Sequence, residues 1–413
     1  MEYAPGVDRG FFPLDEELEL LAGSLTPHGH EGLVRLGSWM PFGQAARMLE
    51  DFLGIGVSRG SSRRYTEAAG AVYVQLQTEE VERIETEMPP APQGAEKVQI
   101  SADGANVPLL HGVWAEVRTL VVGEVQPAVK EKGEMVVHTR KLSYFSRKIK
   151  AEEFQRLALV EMHRRGVEHA KAVAAIQDGA EWEQSFTDYH CPDATRILDF
   201  SHAAEHVSAI GNVLYGEHTP QSQCWLQEQL HRLKQEGPEH LLLDFQELQK
   251  QHPESQEIAS NLAYLEKRRA QMQYPTFQAQ GWPIGSGIVE SANKIVVEAR
   301  LKGSGMHWAP EQVNPMLALR NILCSDRWKE EWPRIEAGLR QQNRQRRTDL
   351  HTSHCEALPA APAGKASALE ATFAQVLSTH IQENNSPAKP KSHPWRGFTH
   401  GKTLFQPTPS PKN

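Results

Sequence analysis

The chain has 413 residues, of which 39% are hydrophobic and 23% are charged, and its formal net charge is −8 at pH 7. This composition is typical of a globular protein with two or three domains, and no stretch reaches the roughly 20 apolar residues that a membrane span needs. Its 4 cysteines form no C-x-x-C pair, which argues against a zinc ribbon and a disulfide framework and predicts a cytoplasmic location.

The first predicted elements are helical. Residues 1–30 contain three prolines and are predicted to be irregular. Between 31 and 88 apolar residues recur at helical spacing, Gly54 and Gly56 interrupt the pattern, and Ser58 is a suitable N-cap for a new helix over 59–74. We predict a helix-turn-helix DNA-binding domain over 31–88. A separate charged helix over 77–87 forms the end of this domain, and a proline-rich linker follows it.

The net negative charge is unfavourable for binding nucleic acid, but the basic residues are clustered, and clusters matter more than the average. The predicted DNA-binding residues form two groups. Arg59, Arg63 and Arg64 lie on the second helix, and Arg344, Arg346 and Arg347 lie near the end of the last predicted helix of the chain. A plain helical hairpin with a solvated basic face would give the same pattern.

The middle of the chain changes to alternating strands. Strands are predicted over 98–103, 113–122, 135–145, 172–176 and 196–200, with a helix over 152–165 and a short helix before the last strand. Three strands in meander followed by alternating units predict an α/β fold with a mixed sheet covered by helices. The first part of this core is assigned to 97–202.

The remainder of the chain is predicted to be mostly helical. Residues 203–280 form an all-helical insertion, and 281–348 hold the last helices of the core. The composition rich in Ala, Pro and Ser over 349–413 predicts a largely disordered basic tail.

Three carboxylates stand where strands end or a helix begins. Asp103 and Asp178 each end an apolar strand before a glycine, and Glu290 lies on the first turn of a helix opened by Gly-Ser-Gly. Turns favour Asp-Gly for local reasons as well. Carboxylates are, however, the ligands that hard cations prefer, and two such ions can activate a nucleophile and stabilise a leaving oxygen. We predict a catalytic metal site at Asp103, Asp178 and Glu290.

These segments resemble the DDE transposases of bacterial insertion sequences, on the Mutator-like side of that superfamily and closest to the ISKra-type group. The resemblance extends from about residue 10 to 395 and is carried by ISADG at 100–104, DGAEW at 178–182, ILDFSHAAEH at 197–206, GSGIVES at 285–291 and RLKGSGMHW at 300–308.

This resemblance implies an RNase H-like catalytic core that holds two Mg²⁺ or Mn²⁺ ions on Asp103, Asp178 and Glu290. It also implies binding to the terminal inverted repeats of the encoding element and to target DNA, strand cleavage and transfer, a homo-oligomer at synapsis, and a location at the bacterial nucleoid. The near-site candidates are Asp199, His202, Lys294, Arg300 and Trp308.

The chain departs from this family in two places. Related transposases often carry a basic residue seven positions after the catalytic glutamate; here that position is Val297, and the nearest lysine on that face is Lys294. Members often begin with a cysteine-rich metal-binding segment, which is missing before Phe12. The alternative is a truncated or catalytically inactive DNA-binding remnant of a transposase.

Asp199 competes with Asp178, because it also ends an apolar strand. The resemblance favours Asp178 and assigns Asp199 and His202 to an accessory polar-x-x-His motif, in which His202 either stabilises the scissile phosphate or serves a structural role. His202 to His206 also spells H-x-x-E-H, a pattern of some zinc peptidases, and this remains a remote alternative. For Trp308, core packing is favoured over stacking on a DNA base.

Overall fold

The structure is a computed structural model, which describes residues 25–131 and 134–357, without the side chains of 134, 347, 348 and 350–357. The helices begin with α1 (Pro27–Trp39), α2 (Phe42–Leu53) and α3 (Arg59–Glu87). Local sequence sets their ends: the Ser58 side chain accepts the Ser61 N–H at 3.0 Å, and Gly54 ends α2 with φ 66°. The predicted helix, turn and second helix are confirmed.

Helix α3 is longer than predicted. The prediction of separate helices over 59–74 and 77–87 is wrong, because α3 is continuous over 29 residues. No glycine or proline interrupts its second half, and the buried residues Tyr73, Gln77 and Val81 anchor it along its length. Gly70 permits its close packing, since a Cβ at that position would lie 2.2 Å from the carbonyl oxygen of Pro315.

The central sheet has five strands in the order β5-β2-β1-β6-β7, with β1 (Lys97–Pro108), β2 (Trp114–Val125), β5 (Thr139–Arg147), β6 (Ala172–Gln177) and β7 (Thr195–Leu198). β2 pairs antiparallel with β1 and β5, whereas β6 pairs parallel with β1 and β7. The predicted meander followed by alternating units, and with it an α/β fold with a mixed sheet, is confirmed.

Two expected elements of this region are divided. The strand predicted over 135–145 is replaced by β4 (Glu134–Val136), which pairs with β3 (Val129–Glu131) outside the main sheet, and by β5. The helix predicted over 152–165 forms as α4 (Ala151–Leu157) and α5 (Leu159–Arg164).

Helices cover both faces of the sheet, and runs of consecutive residues along its strands are therefore buried. Val98 and Ile100 of β1 pack in one apolar cluster with Phe154 of α4 and with Phe186 of α6 (Glu181–His190). Val107 on the opposite face packs against the helices after Gly287. Asp103 has the same parity along β1 as Val107 and therefore points to that second face.

Between β7 and Gly281 every element is helical: α7 (Phe200–Tyr215), α8 (Pro220–Glu236), α9 (Pro238–Gln251), α10 (Gln256–Lys267) and α11 (Tyr274–Ala279), with a short 3₁₀ segment (Arg269–Met272) before α11. Their buried residues form one apolar cluster with β6 and β7. The expectation of an all-helical segment is confirmed.

The last helices return to the sheet. α12 (Gly287–Ala292) continues through a π-helical turn (Asn293–Glu298) into α13 (Ala299–Leu301), followed by α14 (Pro310–Cys324) and α15 (Trp328–Ala357). α14 and α15 share a buried cluster with α1 and α3. Residues 1–347 and 348–413 form two separate units, and most of the predicted tail lies outside the described residues. In the described part, no helix is both long and apolar enough to cross a membrane.

Candidate metal centre

Asp103 and Asp178 lie side by side. The prediction that Asp103 ends its strand is wrong, because β1 stays paired with β2 as far as Pro108, whereas Asp178 directly follows β6 as predicted. The parallel register of β1 and β6 pairs Lys97 with Ala172 and Ile100 with Ala175, and the same register continued brings Asp103 beside Asp178. Each carboxylate accepts a backbone N–H from a residue that closely follows it: Asp103 Oδ1 accepts the Gly104 N–H at 2.6 Å, and Asp178 Oδ1 accepts the Ala180 N–H at 2.8 Å. The second oxygen of each carboxylate is not used by these two hydrogen bonds.

A third carboxylate, Glu183 on α6, completes the group. One carboxylate oxygen from each of Asp103, Asp178 and Glu183 lies within 4.8 Å of the other two, and this is the one such cluster of acidic, His or Cys ligands in the part of the chain that the structure describes. Glu183 is 1% exposed, and its Oε2 accepts the Gly179 N–H at 3.2 Å. Glu183 was not among the predicted ligands, although it lies in the first turn of the helix that follows Asp178.

The three carboxylates are close enough for their negative charges to repel one another, and the pKa values of two of them are raised. Burial above all, then the hydrogen bond and charge of Asp178, raise the pKa of Glu183 to about 10. Burial also raises the pKa of Asp103, with smaller contributions from the charges of Asp178 and Glu290 in the same direction, while hydrogen bonds from Gly104 and Asn293 lower it. Without a cation, a proton on Glu183 relieves this repulsion.

The polar atoms around the group fit a hard cation. Glu183 Oε1 and Asn293 Oδ1 are buried without a hydrogen-bond partner, and leaving such atoms unsatisfied is costly. Asn293 Nδ2 meanwhile donates to Asp103 Oδ2 at 2.8 Å. Carboxylate and amide oxygens suit Mg²⁺ or Mn²⁺ rather than a soft metal. Asp103, Asp178 and Glu183 could therefore hold a metal ion.

Glu290 lies close to this group but not in it. Its side chain is exposed on the first turn of α12, and its oxygens are not among those within 4.8 Å. Its charge nevertheless raises the pKa of Asp103, and Asn293, one turn further on, contacts Asp103 directly. Glu290 as a metal ligand stays a prediction.

The predicted lysine lies in the π-helical turn directly after α12. Lys294 is exposed within this turn, and Val297 is buried in the core. Ala292 and Asn293 keep α-helical backbone angles, so Lys294 still follows Glu290 by about one helical turn, and the wider turn comes after it, where the Ala299 N–H donates to the Lys294 carbonyl. π-turns occur frequently at functional sites.

Asp199 is in register with Asp178 but has a structural role. β6 and β7 pair Gln177 with Leu198, so the two aspartates follow at matched positions. Asp199 is 4% exposed, and its oxygens accept the N–H of Ser286 at 2.8 Å, the Ser201 hydroxyl at 2.8 Å and the N–H of His202 at 3.2 Å. It thereby caps α7 and fixes the Gly-Ser-Gly segment before α12.

His202 lies against Tyr264 of α10, which in turn contacts Asp178. The ring centroids of His202 and Tyr264 are 5.7 Å apart, and the Tyr264 hydroxyl donates to the carbonyl of Asp178. His206 stacks on Tyr264 and its Nδ1 is 2.7 Å from Asn261 Oδ1. Within the described ranges no third ligand joins His202 and His206, so the geometry offers no support for a zinc-peptidase site.

Arg268, also on the end of α10, holds the turn after β6. Its guanidinium donates two hydrogen bonds to the carbonyl of Gly179, whose φ is 85°. A Cβ at Gly179 would lie 2.3 Å from Arg268 Nε. Glycine is therefore required at this position, both for its backbone conformation and for this contact.

The remaining predicted residues lie elsewhere. Arg59, Arg63 and Arg64 are exposed on the first turns of α3, and Arg344 and Arg346 are exposed on α15; the side chain of Arg347 is outside the described residues. Arg300 and Trp308 are buried together, and the Trp308 indole N–H donates to Leu301 O at 2.9 Å. Trp308 belongs to an apolar core cluster, which confirms the packing role favoured for it.

No family model matches the chain, and no curated protein matches it in sequence.

Proposed function

We propose that the chain is a DNA transposase of the DDE type, which binds the ends of its insertion sequence and catalyses metal-dependent strand cleavage and strand transfer. The observation that carries the proposal is the meeting of Asp103, within β1, and Asp178, directly after the parallel strand β6, with a third carboxylate against them. The segments around these residues are those in which the sequence resembles insertion-sequence transposases.

The sheet supports the same proposal. Three antiparallel strands followed by two that run parallel to the first are compatible with an RNase H-like core. The all-helical segment separates β7 from α12 in sequence, yet Asp199 accepts the N–H of Ser286 and so ties the start of α12 to the end of β7. This connection keeps Glu290 and Asn293 on the side of the sheet where Asp103 lies.

The chemistry of phosphodiester cleavage explains the arrangement. Asp103, Asp178 and Glu183 or Glu290 would hold Mg²⁺ or Mn²⁺, as one ion or two, and the bound cation would supply an activated nucleophile and neutralise charge on the scissile phosphate. Asn293 orients Asp103 through its hydrogen bond. Tyr264 and Arg268 fix the turn of Asp178, so the carboxylate is oriented before substrate arrives.

Metal removal tests the proposal directly. Purified protein is incubated with duplex DNA that carries the sequences flanking its gene, and nicked and joined products are separated on a denaturing gel. We expect products with Mg²⁺ or Mn²⁺ and none with EDTA. Ca²⁺ should permit binding but not cleavage, because its looser coordination positions the reacting oxygens poorly. Cleavage in EDTA would contradict the assignment, and binding without cleavage under every metal would favour the inactive remnant.

DNA binding is proposed for the exposed arginines of α3. The double variant Arg63→Ala, Arg64→Ala should weaken binding to the flanking DNA by about tenfold or more, since each lost phosphate contact removes roughly one released counterion. If both arginines contact phosphates, the slope of log affinity against log salt concentration falls by about two. If one of the arginines contacts a base edge, the preference for the flanking DNA over other sequences falls instead.

A matched control separates a specific effect from a general loss of positive charge. Arg140 is exposed at the far end of the sheet, on β5, and Arg140→Ala should leave the affinity and its salt slope unchanged. Filter-binding titrations at several salt concentrations measure both quantities. Wild-type binding by a folded double variant would limit this part of α3 to a structural role.

A further inference from the structure

A cavity of about 600 Å³ lies away from the carboxylates, between the first turns of α2 and α3 and the segment that leads into α14. Its wall includes Arg47, Arg59, Arg63, Arg300, His307 and Trp308. This volume is within the range of small-molecule sites, of which it has the usual composition: apolar walls with a few convergent polar groups.

The charge of the cavity is positive. Arg47 and Arg59 are exposed, and within the described residues no carboxylate lies at salt-bridge distance from either. Arg63 is paired with Glu67 at 3.7 Å, with 62% of the Arg63 side chain exposed. Glu67 and Glu311 are the acidic residues of the wall, and they are outnumbered by four guanidinium groups. An anion entering the cavity would therefore be attracted.

Arg300 provides a second and independent indication of an anion. This residue is 1% exposed, and its Nη2 is buried without a hydrogen-bond partner. Its Nε donates to the Gly37 carbonyl at 2.9 Å. Among the described residues no carboxylate forms a salt bridge with Arg300, and the charge of Glu67 acts on it only from a longer distance. Burial lowers the pKa of Arg300 to about 10, so it stays charged at neutral pH. An unpaired buried cation is costly, and a bound anion would offset that cost.

The apolar part of the wall indicates which chemical group the ligand carries in addition to its anion. Phe42, Leu110 and Met306 offer exposed or partly exposed apolar surface to the cavity, whereas Trp308, which is 6% exposed, lies behind it. The Arg300 guanidinium lies 4.7 Å from the Phe42 ring centroid and 5.0 Å from that of Trp308. An inorganic anion would leave this surface uncovered, whereas a planar heteroaromatic group attached to a phosphate would bury it.

We propose that this cavity is a binding site for a nucleoside phosphate, with the phosphate on Arg47 and Arg59 and the base against the apolar wall. The ligand is either a free nucleotide or the 5′-terminal nucleotide of a DNA strand. Binding uses neither Asp103, Asp178 nor Glu183, so the inference is independent of the cleavage chemistry proposed for them. Because Arg59 and Arg63 also belong to the arginines of α3 that we propose to bind DNA, a DNA end in this cavity would rest on that part of the proposed function.

Isothermal titration of the full chain in EDTA tests the site with deoxyadenosine 5′-monophosphate, deoxyadenosine and inorganic phosphate. The nucleotide should bind at least about tenfold more tightly than either of its parts, because only it engages both the arginines and the apolar wall. Arg47→Ala and Arg59→Ala should each weaken it by about tenfold, while Arg140→Ala leaves it unchanged. Both exposed positions are expected to tolerate alanine, which circular dichroism checks.

A competition experiment distinguishes a DNA end from a free nucleotide as the ligand. The competitor is a short single strand of DNA, used with and without a 5′-phosphate. If the phosphorylated strand displaces the mononucleotide more strongly, the ligand is a DNA end; if both strands displace it equally and weakly, the ligand is a free nucleotide. The proposal is overturned if the mononucleotide does not bind, if deoxyadenosine binds equally well, or if folded Arg47→Ala and Arg59→Ala chains bind it as wild type does. Because no metal is present, failure here leaves the cleavage assay unaffected.

Discussion

Replacing Asp178 by Asn should reduce strand cleavage by about 10³-fold or more while DNA binding stays within about twofold of wild type. The substitution keeps the shape of the side chain and its hydrogen bond from Ala180, but it removes a charge that a hard cation requires. Cation stabilisation of the transition state contributes several kcal/mol, and about 4 kcal/mol corresponds to 10³-fold in rate. Asp103→Asn should have an effect of the same size, measured as single-turnover cleavage of the flanking DNA.

Asp199→Asn is the matched control for this prediction. It is the same chemical change at the same register position, one strand further along the sheet. Asparagine can still cap α7 through its one amide oxygen, but it then loses the hydrogen bond from the Ser286 N–H. Because Asp199 lies outside the group of three carboxylates, the rate should nevertheless fall less than in Asp178→Asn. Equal losses in Asp178→Asn and Asp199→Asn would contradict the ranking of the two residues. Wild-type cleavage in folded Asp178→Asn would contradict the metal mechanism as a whole.

The positions of the two aspartates could be predicted because local patterns determine them. Apolar alternation ending in Asp-Gly locates Asp103 at the end of its alternating segment and Asp178 directly after its strand, and parallel pairing brings such positions to one edge. Asp199 follows the same pattern, and the sequence could not separate them by pattern alone. Its capping role depends on the Ser286 N–H, which only the folded chain brings to it.

Glu183 could not be chosen from the sequence in the same way. Glu181 and Glu183 both follow Asp178, and which of them turns inward depends on the direction in which α6 leaves the strand. The left-handed backbone at Gly179 sets this direction, held by Arg268 from a helix far along the chain. Glu181 instead lies exposed beside Lys267, with which it pairs.

The nucleotide-sized cavity is a second feature that no local pattern indicates. Its arginines come from α2, from α3 and from α13, which are widely separated in sequence. Helical periodicity places Arg59 and Arg63 on one face of α3 and Arg64 off it, but only tertiary packing brings Arg47 and Arg300 to that face. The same packing buries Arg300 without a partner.

The last prediction concerns which glutamate completes the metal site. Glu290→Gln should reduce cleavage by about 10²-fold or more if the exposed carboxylate of α12 approaches the cation in the reactive complex, because a ligand charge is lost. Glu290 is not within the buried group in this structure, so Mg²⁺ affinity without DNA should change little in this variant. Isothermal titration of Mg²⁺ and single-turnover cleavage measure the two effects separately.

Glu183→Gln should have the opposite pattern of effects. It should strongly change the affinity for Mg²⁺ in the absence of DNA and the pH dependence of that affinity. The pKa of Glu183 is raised to about 10, so at neutral pH a cation must displace its proton, and Mg²⁺ affinity should rise between pH 6 and 9 by up to about tenfold per pH unit. Glutamine resembles the protonated carboxyl but cannot ionise, so the variant should bind weakly with an almost flat profile over this range. An unchanged slope in Glu183→Gln would assign the proton to another group, and loss of DNA-free Mg²⁺ binding in Glu290→Gln would make Glu290 the third ligand of the resting site.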